Sequence, residues 1–181
     1  MKLVSIVGMT GSGKSEVAKL FKDNGFTRIR FGDITDSEVK NRGLVLSEEN
    51  ERHVRELLRQ EHGMAAYAKL NQPIIDSALQ NSNVVIDGLY SWEEYTFLKD
   101  YYEKDFYVLA VLASPEARYA RLAGRPVRPL TQAEAASRDR AEIDNINKGG
   151  PIAMADFYII NNNSLGDLLE QVKKFIAELE V

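Results

Sequence analysis

Gly8 opens a run, GMTGSGKS, whose spacing G-x-x-x-x-G-K-S suits the holding of a polyphosphate. Gly8, Gly11 and Gly13 let backbone N–H groups turn inward around an anion with no Cβ in the way. A helix starting at the end of the run would add its partial positive charge at the same place. Lys14 is long enough to reach β- and γ-phosphates, and the Ser15 hydroxyl can ligate Mg2+. The whole stretch Gly8, Met9, Thr10, Gly11, Ser12, Gly13, Lys14 and Ser15 is therefore expected to cradle a nucleotide's terminal phosphates.

Other residues carry chemistry that complements a phosphate site. Asp87 ends the apolar run VVID, where a carboxylate can hold a metal-bound water or act as a base; the alternative is a turn-forming Asp-Gly. Asp33 follows FTRIRFG and is either a helix N-cap or part of the same site. Arg118, Arg121 and Arg125 are spaced three and four apart and share one helical face, followed by Arg128, Arg138 and Arg140. Phosphoryl transfer needs cations on the moving group. Arg121, Arg125 and Arg138 are the expected contributors, with a solvated basic face as the alternative. Arg52, Arg55 and Arg59 lie on a polar helix, and Arg59 is the candidate for an acceptor's phosphate. His53 and His62 lack partners at metal spacing and read as surface residues.

These residues need elements to position them. Leu3–Val7 (LVSIV) is a buried parallel strand, and the pattern of Val17, Ala18, Leu20 and Phe21 makes a helix after the glycine run. Further strands are expected at Phe26–Phe31, Val84–Asp87, Phe106–Leu112 and Phe157–Ile160. Between them fall a helix from Asp33 toward Gly43, and a polar helix capped by Ser47 and running from Glu48 to about Leu70, broken or bent near Gly63. Another helix starts at Pro73. Ser91/Glu94 and Thr131/Glu134 spell capping boxes, Ser114-Pro115 starts a helix, and Ser164 opens a C-terminal one with an apolar stripe. Residues 125–151 hold three of the five prolines and many charges, which reads as a mobile excursion. Alternating strands and helices imply an α/β fold with a parallel, doubly wound sheet, its ligands at the carboxyl ends of the strands.

Composition narrows the function further. At 181 residues with 44% hydrophobic and 28% charged residues, the chain is one ordinary domain. A net charge of −4 gives no general attraction to nucleic acid or to an anionic membrane. Without cysteine there are no disulfides, thiolate zinc sites or cysteine nucleophiles, and the expected location is the cytoplasm. No signal peptide or membrane span is expected.

GMTGSGKS, FGD, VVIDGLYS and ARYARLAGR together resemble, in order and spacing, the nucleoside monophosphate kinases. ADFYIINNNSLGDLLEQV is closer to dephospho-CoA kinases. With RGLVLSEEN, LLRQEHGMAAYAK and RDRAEIDN, the chain resembles an archaeal-type group of adenylate-kinase-related, dephospho-CoA-kinase-like proteins. The resemblance implies a P-loop NTPase fold with a five-stranded parallel sheet flanked by helices. It divides the chain into a core (1–32, 81–124 and 152–181), an acceptor-binding helical segment (33–80) and a lid (125–151). It further implies ATP and Mg2+ at Gly8 to Ser15, phosphate contacts from Arg121 and Arg125, and Arg138 reaching in from the lid. Transfer of the γ-phosphoryl to a nucleotide-like small molecule follows, from a monomer or weak homodimer. Two positions depart from the adenylate kinase pattern: Asp36 and Ser91 stand where that family places acceptor-gripping arginines. That departure motivates the alternative of a nucleotide-binding regulatory NTPase without a small-molecule acceptor.

Overall fold

Five consecutive buried residues, Leu3–Val7, form β1, the central strand of a five-stranded sheet. A computed structural model describes residues 1–126 and 129–179. The sheet runs β2 (Thr27–Arg30), β3 (Val84–Asp87), β1, β4 (Phe106–Leu112), β5 (Phe157–Ile160), with every pairing parallel. Parallel neighbours require crossovers, so both faces are covered by helices and the inner strands are apolar throughout.

The period of two along the strands divides the core. Leu3 and Val7 face one side with Val84, Ile86, Phe106 and Val108, under α4 (Ala66–Leu79) and α5 (Trp92–Tyr102). Val4 and Ile6 face the other with Val85, Leu109 and Ile159, under α1 (Lys14–Asp23) and α9 (Leu165–Leu179). On the first side, α2 (Asp33–Asn41) and α3 (Glu48–His62) add Val39, Val54 and Leu58 to the same apolar cluster. The register Ile6↔Asp87 and Val7↔Ala110 brings the ends of β3, β1 and β4 level, so the loops that follow share one edge.

The strands lie where the apolar runs put them, except that β2 is shorter than Phe26–Phe31. Both capping boxes form: Ser91 with Glu94, and Thr131 with Glu134. Three local readings change. The expected break near Gly63 is a full stop, with φ 81 at Gly63, and α4 then runs unbroken through Pro73. Pro73 and Lys69 both lie on the exposed face of α4, so the carbonyl that loses its N–H partner lies on the solvent side. Asp33 is the first residue of α2 rather than its cap, because its carboxylate turns back to accept from Arg30 Nη1 at 2.8 Å. The excursion after α6 (Pro115–Ala123) is largely ordered into α7 (Gln132–Asp144) and the short α8 (Gly149–Ala153), which packs on α5. Ala135 and Lys148 in this stretch are each only 1% exposed. Among the described residues no helix is long and apolar enough to cross a membrane.

Candidate active site

The turn between β1 and α1 is built for close approach. Gly8 has φ 143, and a Cβ there would lie 2.3 Å from the Val111 carbonyl oxygen. Gly13 has φ 102 and abuts the Asn161 amide, which donates from Nδ2 to the Ser12 carbonyl at 2.8 Å. No side chain caps α1. Among the described residues, the amides of Gly11, Gly13, Lys14 and Ser15 donate to no protein acceptor. A helix N-terminus with unused amides beneath a glycine turn is a ready anion cradle. Lys14 folds back over it, donating from Nζ to the carbonyls of Gly8 at 2.9 Å and Met9 at 3.1 Å. Burial, together with nearby Lys148, brings its ammonium down to about 7. Ser15 is exposed at the mouth of the turn.

A second layer clamps this turn from α6, α7 and Lys148. Arg118, on α6 and only 4% exposed, donates from Nη1 to the Thr10 carbonyl at 3.1 Å. The same guanidinium grips Asp139 of α7 in a fork, at 2.8 and 2.6 Å. One turn later Glu142 accepts from the Thr10 hydroxyl at 2.5 Å and from Lys148 Nζ at 2.8 Å. Arg138 Nε donates at 3.3 Å to Oε1, the oxygen that accepts from Thr10, while Lys148 holds Oε2. Burial would raise Glu142, but Lys148 and the Thr10 hydroxyl outweigh it and hold the carboxyl at about 2. Arg121 donates to the Asn161 carbonyl at 2.8 Å and keeps Nη1 buried without a partner. Arg125 lies just past α6 and is exposed; Arg128 lies outside the described residues.

The edge formed by β2, α2 and α4 is more self-contained. Asp87, buried at the end of β3, is paired with Arg28 of β2. Arg30 binds both Asp33 and Asp36, at 2.8 and 2.9 Å. Arg28, Arg30, Asp33, Ser37 and Asn71 line a cleft of about 380 Å3 between β2, α2 and α4. Arg59 stacks on Tyr67 at 5.3 Å, with its Nε buried and unpaired. Tyr67 is itself anchored by a 2.6 Å hydrogen bond with Thr35. No group of three or more His, Cys, Asp or Glu side chains among the described residues could hold a metal. Mg2+ would therefore depend on Ser15, Asp87, water and the phosphates themselves, the arrangement this ion favours.

The sequence alone did not single out the clamp. Of its members, Arg118 stood out only as one of three arginines on a helical face, and nothing local marked Asp139, Glu142 or Lys148 as site residues. Glu94 was visible as a cap, but not as a wholly buried carboxyl. Its Oε2 accepts from the Tyr90 and Ser91 amides at 2.8 and 3.2 Å, while Oε1 is unpaired. Burial pushes this carboxyl up from 4.5 to about 7, against the lowering pull of the Tyr90 amide and Arg59. The native state thus holds a proton that the unfolded chain releases near pH 4.5. Stability is expected to fall as pH rises from about 4.5 to about 7, by roughly 3 kcal/mol, and to stay lost above that. Urea unfolding at pH 5, 6 and 8 checks this. Glu94→Gln keeps the cap acceptor and should lose that part of the pH dependence; equal slopes in the two proteins would refute the assignment.

Residues 4–143 match the AAA domain family. The UPF0200 protein TK1334 of Thermococcus kodakarensis is 39% identical over 181 residues, spanning 98% of this chain and 97% of its own. Among solved structures, TT1252 from Thermus thermophilus shares the fold with a TM-score of 0.68 at 22% identity, over 98% of this chain and 97% of that one. A dephospho-CoA kinase from Campylobacter jejuni aligns with a TM-score of 0.58 at 17% identity, over 98% of this chain and 96% of its own. At such identities the likeness is one of fold, and the fold is that of P-loop kinases.

Proposed function

We propose, for a chain that belongs to the AAA domain family and to the UPF0200 proteins, that it is an ATP-dependent phosphotransferase acting on a nucleotide-like small molecule. The acceptor classes are a nucleoside monophosphate, ranked first, or dephospho-CoA. The observation that carries the reading is the glycine turn with its unused amides, under a lysine already aimed across it. The amides and Lys14 would take the β- and γ-phosphates, Lys14 exchanging two carbonyls for phosphate oxygens. Ser15 and Asp87 would hold Mg2+, which when bound neutralises charge on the transferring group. Arg121, with one buried nitrogen to spare, Arg125 and Arg138 would stabilise charge in the transition state. Asp33 and Arg59 would face the acceptor, and the cleft lined by Arg28, Arg30 and Asp33 is within the size range of a small-molecule site.

One observation favours a second reading, a regulatory NTPase with no small-molecule acceptor. The acceptor-side cations Arg28 and Arg30 are already paired with Asp87, Asp33 and Asp36. One experiment decides between the two. The protein is incubated with ATP and Mg2+ and a panel of nucleoside monophosphates, dephospho-CoA and small hydroxylated metabolites, and phosphorylated acceptor is followed by mass spectrometry. A kinase yields one phosphorylated acceptor and matching ADP. ADP formed at the same rate with every acceptor, and no phosphorylated product, supports the regulator.

A further inference from the structure

The carboxylate of Glu142 is bound as an anion in a receptor would be. Three donors from separate parts of the chain converge on it: the Thr10 hydroxyl of the glycine turn, Arg138 Nε of α7, and Nζ of Lys148, just before α8. Lys148 is almost wholly enclosed, at 1% exposed, and its ammonium also lies 5.4 Å from the centre of the Tyr90 ring. Tyr90 follows the end of β3 closely, and its hydroxyl lies against Gly88, next to Asp87. Lys148 therefore sits between the glycine turn, through Glu142 and Thr10, and the residues that follow the end of β3. Burying an ion pair is costly, and an apolar pair of similar volume would serve stability as well or better. Burial lowers the Lys148 ammonium and Lys148 in turn helps to lower Lys14, so extra negative charge at this spot is favoured.

We infer that Thr10, Arg138 and Lys148 form the receptor for the transferring phosphoryl group, and that Glu142 occupies that receptor as an internal stand-in until ATP arrives. A carboxylate and a phosphoryl group present oxygens of the same kind to such donors. ATP must displace Glu142 from Thr10 and Lys148 to seat its γ-phosphate. ADP has no γ-phosphate and need not. Lys148 then touches the transferring group and is a catalytic residue, and Glu142 is a positioning residue whose charge sets the balance between ATP and ADP. The inference rests on the kinase reading, but its test is separable from it.

The test is isothermal titration of the full chain with the non-hydrolysable analogue adenylyl imidodiphosphate and with ADP, both with Mg2+. Glu142→Gln is isosteric and retains a hydrogen-bond acceptor for Thr10 or Lys148. It is expected to tighten the analogue about tenfold and to change ADP by less than about twofold. Lys148→Met is expected to weaken the analogue about tenfold with ADP little changed, and Lys148→Arg to restore much of the loss. Thermal melts establish that each variant is folded, and Glu142→Gln carries the test if Lys148→Met does not fold. An analogue-to-ADP ratio unchanged in Glu142→Gln, or both ligands weakened alike, would make Glu142 a structural clasp and overturn the inference, while the kinase reading stands. If the wild-type chain binds neither ligand, both readings fall together.

Discussion

Lys14→Met is expected to lower affinity for ATP with Mg2+ by roughly a hundredfold or more and to remove measurable turnover, while the ligand-free melting temperature at neutral pH rises, because burial of the ammonium opposes folding. The methionine keeps most of the aliphatic stem. What is lost without ligand is a pair of hydrogen bonds to the Gly8 and Met9 carbonyls, and with them the cost of burying the ammonium. What is lost with ligand is a charge-assisted contact to two phosphates, each bond contributing about 1.5–3 kcal/mol. The pH dependence sharpens the test. With its ammonium at about 7 in the free protein, Lys14 is charged below that pH and increasingly neutral above it. Phosphates favour the charged form, so binding draws in a proton above pH 7. Affinity should therefore weaken by up to about tenfold per pH unit as pH rises from 7.5 toward 9, a range in which the nucleotide itself is already fully ionised. Titrations in buffers of different ionisation enthalpy would register the proton uptake. In Lys14→Met the Lys14 part of that slope disappears, and an identical slope in both proteins would place the titration elsewhere.

The parts of this fold that were legible in the amino-acid sequence are those decided within a few residues. β1 and the glycine turn announce themselves because a continuous β-branched run, a Gly-x-x-x-x-Gly spacing and an amphipathic stretch follow one another without interruption. The capping boxes at Ser91 and Thr131 are equally local, since both reciprocal hydrogen bonds span three residues. The sheet order was not spelled out by any segment; right-handed crossovers constrain it but do not choose β2-β3-β1-β4-β5 among the orders they allow. Pro73 misled because its missing N–H is a local fact, whereas its tolerance within α4 depends on which face of that helix the sheet and α5 leave exposed.

The clamp on the glycine turn shows the opposite case. Thr10 and Glu142 are 132 residues apart, and Arg118 and Asp139 are 21 apart. Nothing in RDRAEIDN distinguishes a solvated helix from one that lays Asp139 and Glu142 against the glycine turn and α6. The charge is the same, and only burial separates the two. Asp33 and Arg30 make the same point on a smaller scale. An Asp after a strand is a good N-cap in isolation, but a guanidinium three residues earlier competes for its carboxylate and wins. The residues hardest to read were therefore those whose partners lie on other elements, and they are concentrated at the site.

Arg118→Met should produce the largest loss of stability of any single change around the site. The guanidinium makes a fork to Asp139 at 2.8 and 2.6 Å, a bond to the Thr10 carbonyl at 3.1 Å and another to the Ala113 carbonyl at 3.2 Å. The side chains of the ion pair are 5% and 13% exposed, so solvent cannot step in when one partner goes. Removing Arg118 leaves the Asp139 carboxylate in a low-dielectric setting with only the Tyr119 hydroxyl, at 2.9 Å, as a described donor. Breaking a buried pair from one side costs about 3–5 kcal/mol. For a domain of this size that corresponds to a fall in melting temperature of roughly 6–20 °C. Arg118→Met combined with Asp139→Leu removes both charges and should recover most of the stability, because the penalty lies in the orphaned carboxylate rather than in the missing attraction. Nucleotide affinity should behave differently. The Thr10 carbonyl loses its donor in both variants, so the glycine turn is less firmly held in each, and ATP binding should stay weakened in the double variant even as its melting temperature returns. A single variant that melts within about 1 kcal/mol of wild type would mean that the pair acts as an ordinary surface contact, and the clamp would not be what holds the turn.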